Sequence, residues 1–164
     1  MKTLDYLGLN QERIQPVTDG LAVLLADLQV FYTNLRNFHW NVTGSKFFTL
    51  HAKFEELYDD TAAKVDEVAE RLLQLGAVPE SRYSVYLTQS EVKEADLLCC
   101  ADSALTSILD TFRILIARER TIIAAAQDAG DETTAALLGD FLSGQEKLVW
   151  MFVALGKTSG CDKA

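Results

Sequence analysis

The sequence predicts an all-α chain folded as one four-helix bundle. Three observations carry that prediction. Apolar residues recur at spacings of three and four along most of the chain, no stretch sustains the alternation of a strand, and a long polar connection separates two pairs of periodic segments. The first helix is read from Thr18, where Leu21, Leu24, Leu28, Phe31, Leu35 and Phe38 form one stripe, and it ends before Gly44. The second carries Phe54, Leu57, Thr61, Val65, Val68, Leu72 and Leu75. Gly76 then suits a left-handed cap, and Pro79 forbids continuation.

Residues 77–94 form the connection, rich in Ser, Tyr and Thr, with one short helix expected near Leu87–Lys93. The third helix holds Leu98, Ala101, Leu105, Ile108, Phe112, Leu115, Ile116, Ile122 and Ile123 and stops near Gly130. Asp131 can cap the fourth, which runs through Leu138, Phe141, Leu148, Phe152 and Leu155 to Gly156. Gly139 and Gly144 inside it each cost ~1 kcal/mol against Ala, so this helix is the weakest of the four. Helices of roughly 25–30 residues are each near 40 Å long. The short first and third links imply antiparallel neighbours, and the middle link is long enough to cross the bundle.

Composition narrows the function. A chain of 164 residues is one domain with a sizeable core, spanning 1–164. Its formal charge of −9 argues against nucleic acid, whose phosphates demand Lys and Arg, and favours metal cations. Neither end supplies a basic arm: the first sixteen residues balance two cations with two anions, and the tail "GKTSGCDKA" is short. No leader pattern and no apolar run approaching ~18 residues is evident, so a cytoplasmic protein with no membrane span is expected. Cys99, Cys100 and Cys161 lack metal-binding spacing and read as reduced thiols.

The two histidines of the chain, His39 and His51, lie close together in "NLRNFHWNVTGSKFFTLHAKFEELYDD". On the second helix, His51, Glu55, Asp66 and Glu70 fall at about 0°, 40°, 60° and 100° around the axis, within one flank. Yet His51 and Asp66 are separated by about 22 Å of helix, whereas a coordination sphere needs its donors within ~2.0–2.5 Å of the ion. One chain therefore cannot close the site. Two copies can: an antiparallel pairing of this helix with its twin, about an axis midway between positions 60 and 61, puts His51 opposite Glu70 and Glu55 opposite Asp66. A two-fold dimer makes that site twice, and His39 from the first helix could add a second imidazole. Two imidazoles with three carboxylates suit iron, with manganese or zinc as substitutes. Hard anionic oxygens hold Fe³⁺ more tightly than Fe²⁺ and so favour its oxidation. Taken singly, each carboxylate could equally be a solvated face and each histidine a hydrogen-bonded structural residue. The intrachain Glu-x-x-His signature of di-iron bundles is absent.

"NFHWNVTG", "FFTLHAKFEELYDD", "KVDEVAERLLQLGAVP" and "LVWMFVALGK" resemble the Dps family, the mini-ferritins named as DNA-binding proteins from starved cells. The likeness extends over essentially the whole chain. It implies a ferritin-like bundle, a dodecameric shell built from two-fold dimers, and a store of ferric mineral inside. It also implies ferroxidase sites in which His39 and His51 of one subunit meet Asp66 and Glu70 of its partner. Glu55 stands where many members carry Asp, one methylene shorter, and would reach iron directly or through water. Trp40 matches a tryptophan near the iron, either an electron donor or a core aromatic at the dimer interface. Asp128, Asp131 and Glu132 lie where the family admits iron through acidic three-fold pores, although for Asp131 helix capping is the simpler role. The resemblance thus implies a ferroxidase using hydrogen peroxide or O₂. The rival readings are a nucleoid-binding protein with secondary iron handling, and a helical adaptor whose acidic face is only solvation.

Overall fold

The apolar stripes do close into a bundle. The computed structural model describes residues 3–156; the C-terminal segment with Cys161 lies outside them. Among the described residues there are six helices, α1 (Thr3–Leu7), α2 (Gln11–Asn41), α3 (Phe47–Gln74), α4 (Tyr83–Gln89), α5 (Ala101–Ala129) and α6 (Glu132–Gly156). The bundle is α2, α3, α5 and α6. Its core is made where the stripes meet: Leu21, Leu24, Leu28, Phe31, Leu35 and Phe38 of α2 are all but unexposed, as are Phe54 and Leu72 of α3, Ile108 and Leu115 of α5, and Leu138 of α6. Edge-to-face rings lock the layers, Phe31 on Phe112 at 5.5 Å and Phe38 on Phe54 at 6.2 Å.

Helix ends follow the glycines. Gly76 and Gly130 both take φ near +75–80°, and Ala77 and Asp131 donate back to the carbonyls of Leu72 and Ala126, closing α3 and α5 with the same left-handed cap. Gly20 serves another purpose. A Cβ there would stand 2.6 Å from Ile122 Cγ1, so its bare backbone sets how closely α2 and α5 approach.

The first helix differs from expectation at its start. It begins at Gln11, about two turns before Thr18, because the Asn10 side chain accepts from the N–H groups of Glu12 (2.9 Å) and Arg13 (3.1 Å). Pro16 does not break it, since the backbone bond it forfeits falls in the solvent-exposed opening turns. By length and composition α2 also passes for a membrane span, against the sequence reading, but 61% of that window is buried inside the bundle. Continuity of α6 through Gly139 and Gly144 is as expected.

The connecting segment is where the fold is decided. Its helix lies at 83–89 rather than 87–93, because at Ser90 the chain leaves the helix to wrap a buried carboxylate. Asp27 of α2, fully buried, accepts from Ser90 Oγ (2.9 Å) and the N–H groups of Glu91 (2.7 Å) and Val92 (3.3 Å), and its other oxygen accepts from Arg118 Nε of α5 at 2.6 Å. The chain then tracks α2 toward its C-terminus: Asn34 bonds to Lys93 and Ala95, Asn37 to Asp96, and Thr43 to Cys99. It therefore delivers α5 to the far end of the bundle, antiparallel to α2. This is the crossing that the length of the link predicted.

Candidate metal centre

The loop between α2 and α3 is five residues long, so the last turn of one helix faces the first turns of the next. This puts the two histidines face to face. Their rings stack at 3.8 Å, tilted by 23°. Each Nδ1 meets the other residue's backbone carbonyl, His39 Nδ1 to His51 O at 2.8 Å and His51 Nδ1 to His39 O at 2.9 Å. A carbonyl can only accept, so both Nδ1 atoms carry hydrogen in the neutral rings, and both Nε2 lone pairs are left for a metal. Backbone carbonyls here do what outer-sphere partners do in metal sites generally, fixing tautomer and ring orientation together.

Glu55, one turn along α3 from His51, completes a triad. A ligand atom from each of His39, His51 and Glu55 lies within 4.8 Å of the other two. Three donors bonded at ~2.1–2.2 Å and spread evenly round one ion lie roughly 3.7 Å apart, so the set is close enough for side-chain rotation to bring it onto one metal. His39 is buried, His51 half-buried and Glu55 exposed, so the site is rooted in the bundle and open at its mouth.

Tyr58 is the neighbour that sequence reasoning missed. Its ring stands edge-on to His39 at 5.3 Å and to Tyr32 at 6.0 Å. Its phenol is shifted upward, first by desolvation and then by the Glu55 and Asp59 carboxylates beside it. The spacing Glu55-x-x-Tyr58, one helical turn, is the signal that could have found it.

Of the other expected ligands, Asp66 and Glu70 lie exposed further along the same unbroken helix, outside the triad. The structure thus joins three of the five in one chain and leaves Asp66 and Glu70 on the same flank, about 22 Å and about 28 Å of helix beyond His51. Trp40 is not part of the chain's core: it is 62% exposed, with the Arg36 guanidinium 4.6 Å above its ring.

The acidic trio divides. Asp128 and Glu132 are exposed, the former receiving a bond from Arg13 at its carbonyl. Asp131 is buried, and both of its carboxylate oxygens are engaged. Its Oδ1 accepts from Arg71 at 2.6 Å and from the N–H of Thr134 at 3.0 Å, and its Oδ2 from Thr134 Oγ at 2.5 Å. It caps α6 and ties it to the end of α3.

Comparison with known proteins agrees with this architecture. Residues 18–159 match the ferritin-like domain family. A protein from Porphyromonas gingivalis named DNA protection during starvation protein is 56% identical over 153 residues, covering 93% of this chain and 96% of the relative. Among solved structures, Dps from Vibrio cholerae O1, described as a member of a broad superfamily of ferritin-like diiron-carboxylate proteins, superposes with a TM-score of 0.89 at 44% identity, covering 91% and 94% of the two chains. A Dps protein from Bacillus brevis gives 0.87 at 36% identity, covering 91% and 100%. With its bundle, its crossing connection and its paired histidines, the chain belongs to the Dps family of ferritin-like proteins.

Proposed function

We propose that this protein oxidises ferrous iron at sites shared between two subunits and stores the ferric product inside a dodecameric shell. The observation that carries the reading is the reciprocal clasp of His39 and His51, which leaves two Nε2 donors beside the Glu55 carboxylate. Fe²⁺ is the substrate. His39 and His51 of one subunit, with Asp66 and Glu70 of its two-fold partner, hold the first ion, and Glu55 or Glu70 helps to hold a second. Anionic oxygens favour the ferric state, so binding itself drives electron loss. Two ferrous ions give one electron each to hydrogen peroxide, which takes up two protons and leaves as two waters. O₂ is the alternative acceptor. Consuming Fe²⁺ and peroxide together removes both reagents of hydroxyl-radical formation. In this reading Trp40, next to His39 in sequence, serves as a reserve electron donor. Asp128 and Glu132 remain the acidic residues that would attract incoming iron.

Relatives bear the name DNA protection during starvation protein. For this chain, at −9, the protection we propose is chemical and cytoplasmic, without a DNA complex. A gel-shift titration at low and physiological salt tests that part, and a retarded band at physiological salt would overturn it. The central test is an anaerobic Fe²⁺ titration followed by peroxide or O₂. Replacing His39 and His51 together by Ala should abolish tight Fe²⁺ binding and slow oxidation at least a hundredfold, the loss expected when direct ligands, not merely their supports, are removed. Wild-type rates in an assembled double variant would remove these residues from the chemistry.

A further inference from the structure

Away from the histidines, the bundle interior holds a carboxylate that the iron chemistry does not use. Glu119 lies in the middle of α5 with no exposed surface, facing Gln145 of α6, which is 3% exposed. The amide Nε2 of Gln145 donates to Glu119 Oε1 at 2.7 Å. The remaining oxygens, Glu119 Oε2 and Gln145 Oε1, are both buried and both lack a partner among the described residues. Buried polar atoms are rarely left so, and each orphan destabilises the fold. Both orphans here are acceptors, so nothing either residue already carries can satisfy them. One hydrogen would satisfy both.

We propose that Glu119 carries a structural proton, donated from Oε2 to Gln145 Oε1, so that acid and amide close a two-bond ring inside the bundle. The charged groups around it fit a neutral acid. On its own helix, Arg118 is turned to Asp27 and Glu91, and Arg120 to Glu146. From α2 the buried carboxylate is Asp27, already held by Arg118. From α3 comes Lys64, whose ammonium is paired with Asp60 and rests 5.2 Å from the Phe141 ring. Among the described residues, Lys64 is thus the cation that favours ionised Glu119, and its charge is already partly neutralised. Burial outweighs it and lifts the carboxyl to about 7, against the opposing pull of Gln145 and Lys64. The raised value fixes the sign: the folded protein holds this proton more tightly than the unfolded chain does. The stabilisation is complete below the ordinary glutamate range and is lost as pH rises through about 7.

The test uses the full assembled protein. Infrared difference spectra in D₂O between the wild type and Glu119→Gln should show a protonated-carboxyl carbonyl band at pH 6 that fades between pH 6 and 8. In parallel, the thermal midpoint of the wild type should fall over that interval relative to Glu119→Gln, whose two amides can form the same ring without a titrating group. A wild-type spectrum lacking that band at pH 6 overturns the proposal, even if the variant fails to fold. So does a wild-type midpoint that parallels the variant's across the interval. Zn²⁺ binding that is lost in Glu119→Gln would also overturn it, because the two oxygens would then be serving a cation.

Discussion

A site divided between two chains can be tested by subunit mixing. Take one variant in which His39 and His51 are Ala, and a second in which Asp66 and Glu70 are Ala. Each homodimer then lacks half of every proposed coordination sphere. If the deleted groups are direct ligands, as proposed, each variant alone should lose more than the ~10–100-fold in affinity that removing an outer partner costs. In a mixed dimer the two-fold axis sorts the lesions. One seam receives both intact halves, and the other receives neither. Random pairing of equal amounts makes half of the dimers mixed, so about one quarter of all sites should recover wild-type Fe²⁺ affinity. The assay is anaerobic Fe²⁺ titration of the co-refolded mixture, with mass spectrometry confirming that the two chains have mixed. Recovery of no sites would refute a shared centre. Full wild-type stoichiometry in the Asp66→Ala, Glu70→Ala parent would do the same, because His39, His51 and Glu55 would then suffice within one chain.

Two further outcomes probe the scaffold that holds the site. Asp27→Ala leaves the Glu91 and Val92 N–H groups and part of the Arg118 guanidinium without their acceptor; it should cost about 3–5 kcal/mol in urea unfolding and expose residues 90–96 to proteases. An unchanged cleavage pattern would show that the crossing connection is held by something other than this carboxylate. Gly20→Ala should lose about 1–3 kcal/mol through collision with Ile122, and Ile122→Ala in the same chain should recover part of it. If the double variant is less stable than the sum of the singles, the α2–α5 spacing is not what Gly20 sets.

The bundle was legible because its helices are long and their stripes regular, as Leu21 to Phe38 and Phe54 to Leu75 demonstrate. What escaped reading depended on side chains meeting across the fold. The stripe read from Thr18 does not show the two turns before it, and only the Asn10 cap and the exposed position of Pro16 explain why α2 begins at Gln11 and runs through that proline. The connecting helix was placed four residues late because the carboxylate that ends it, Asp27, is 63 residues from Ser90 in sequence. His51 and Glu55 were visible as ligand types at helical spacing, with His39 as a second imidazole from the preceding helix. Their mutual carbonyl bonds were not, because these depend on how a five-residue loop aligns two helix ends. For Asp131 the capping role was legible, but its burial against Arg71, 60 residues away in sequence, was not. Glu119 looked like any other charge on α5 until its surroundings were known.

The histidine clasp also bears on how the protein would meet the ferrous iron proposed as its substrate. A ring flip of either imidazole would break a bond to the opposite main chain and turn carbon toward the seam. The donors are therefore aimed before any ion arrives, and capture requires no rehearsal by the polypeptide. Empty and loaded subunits should consequently share one backbone at the hairpin between α2 and α3, and loading should be limited by how fast ions reach the mouth of the site.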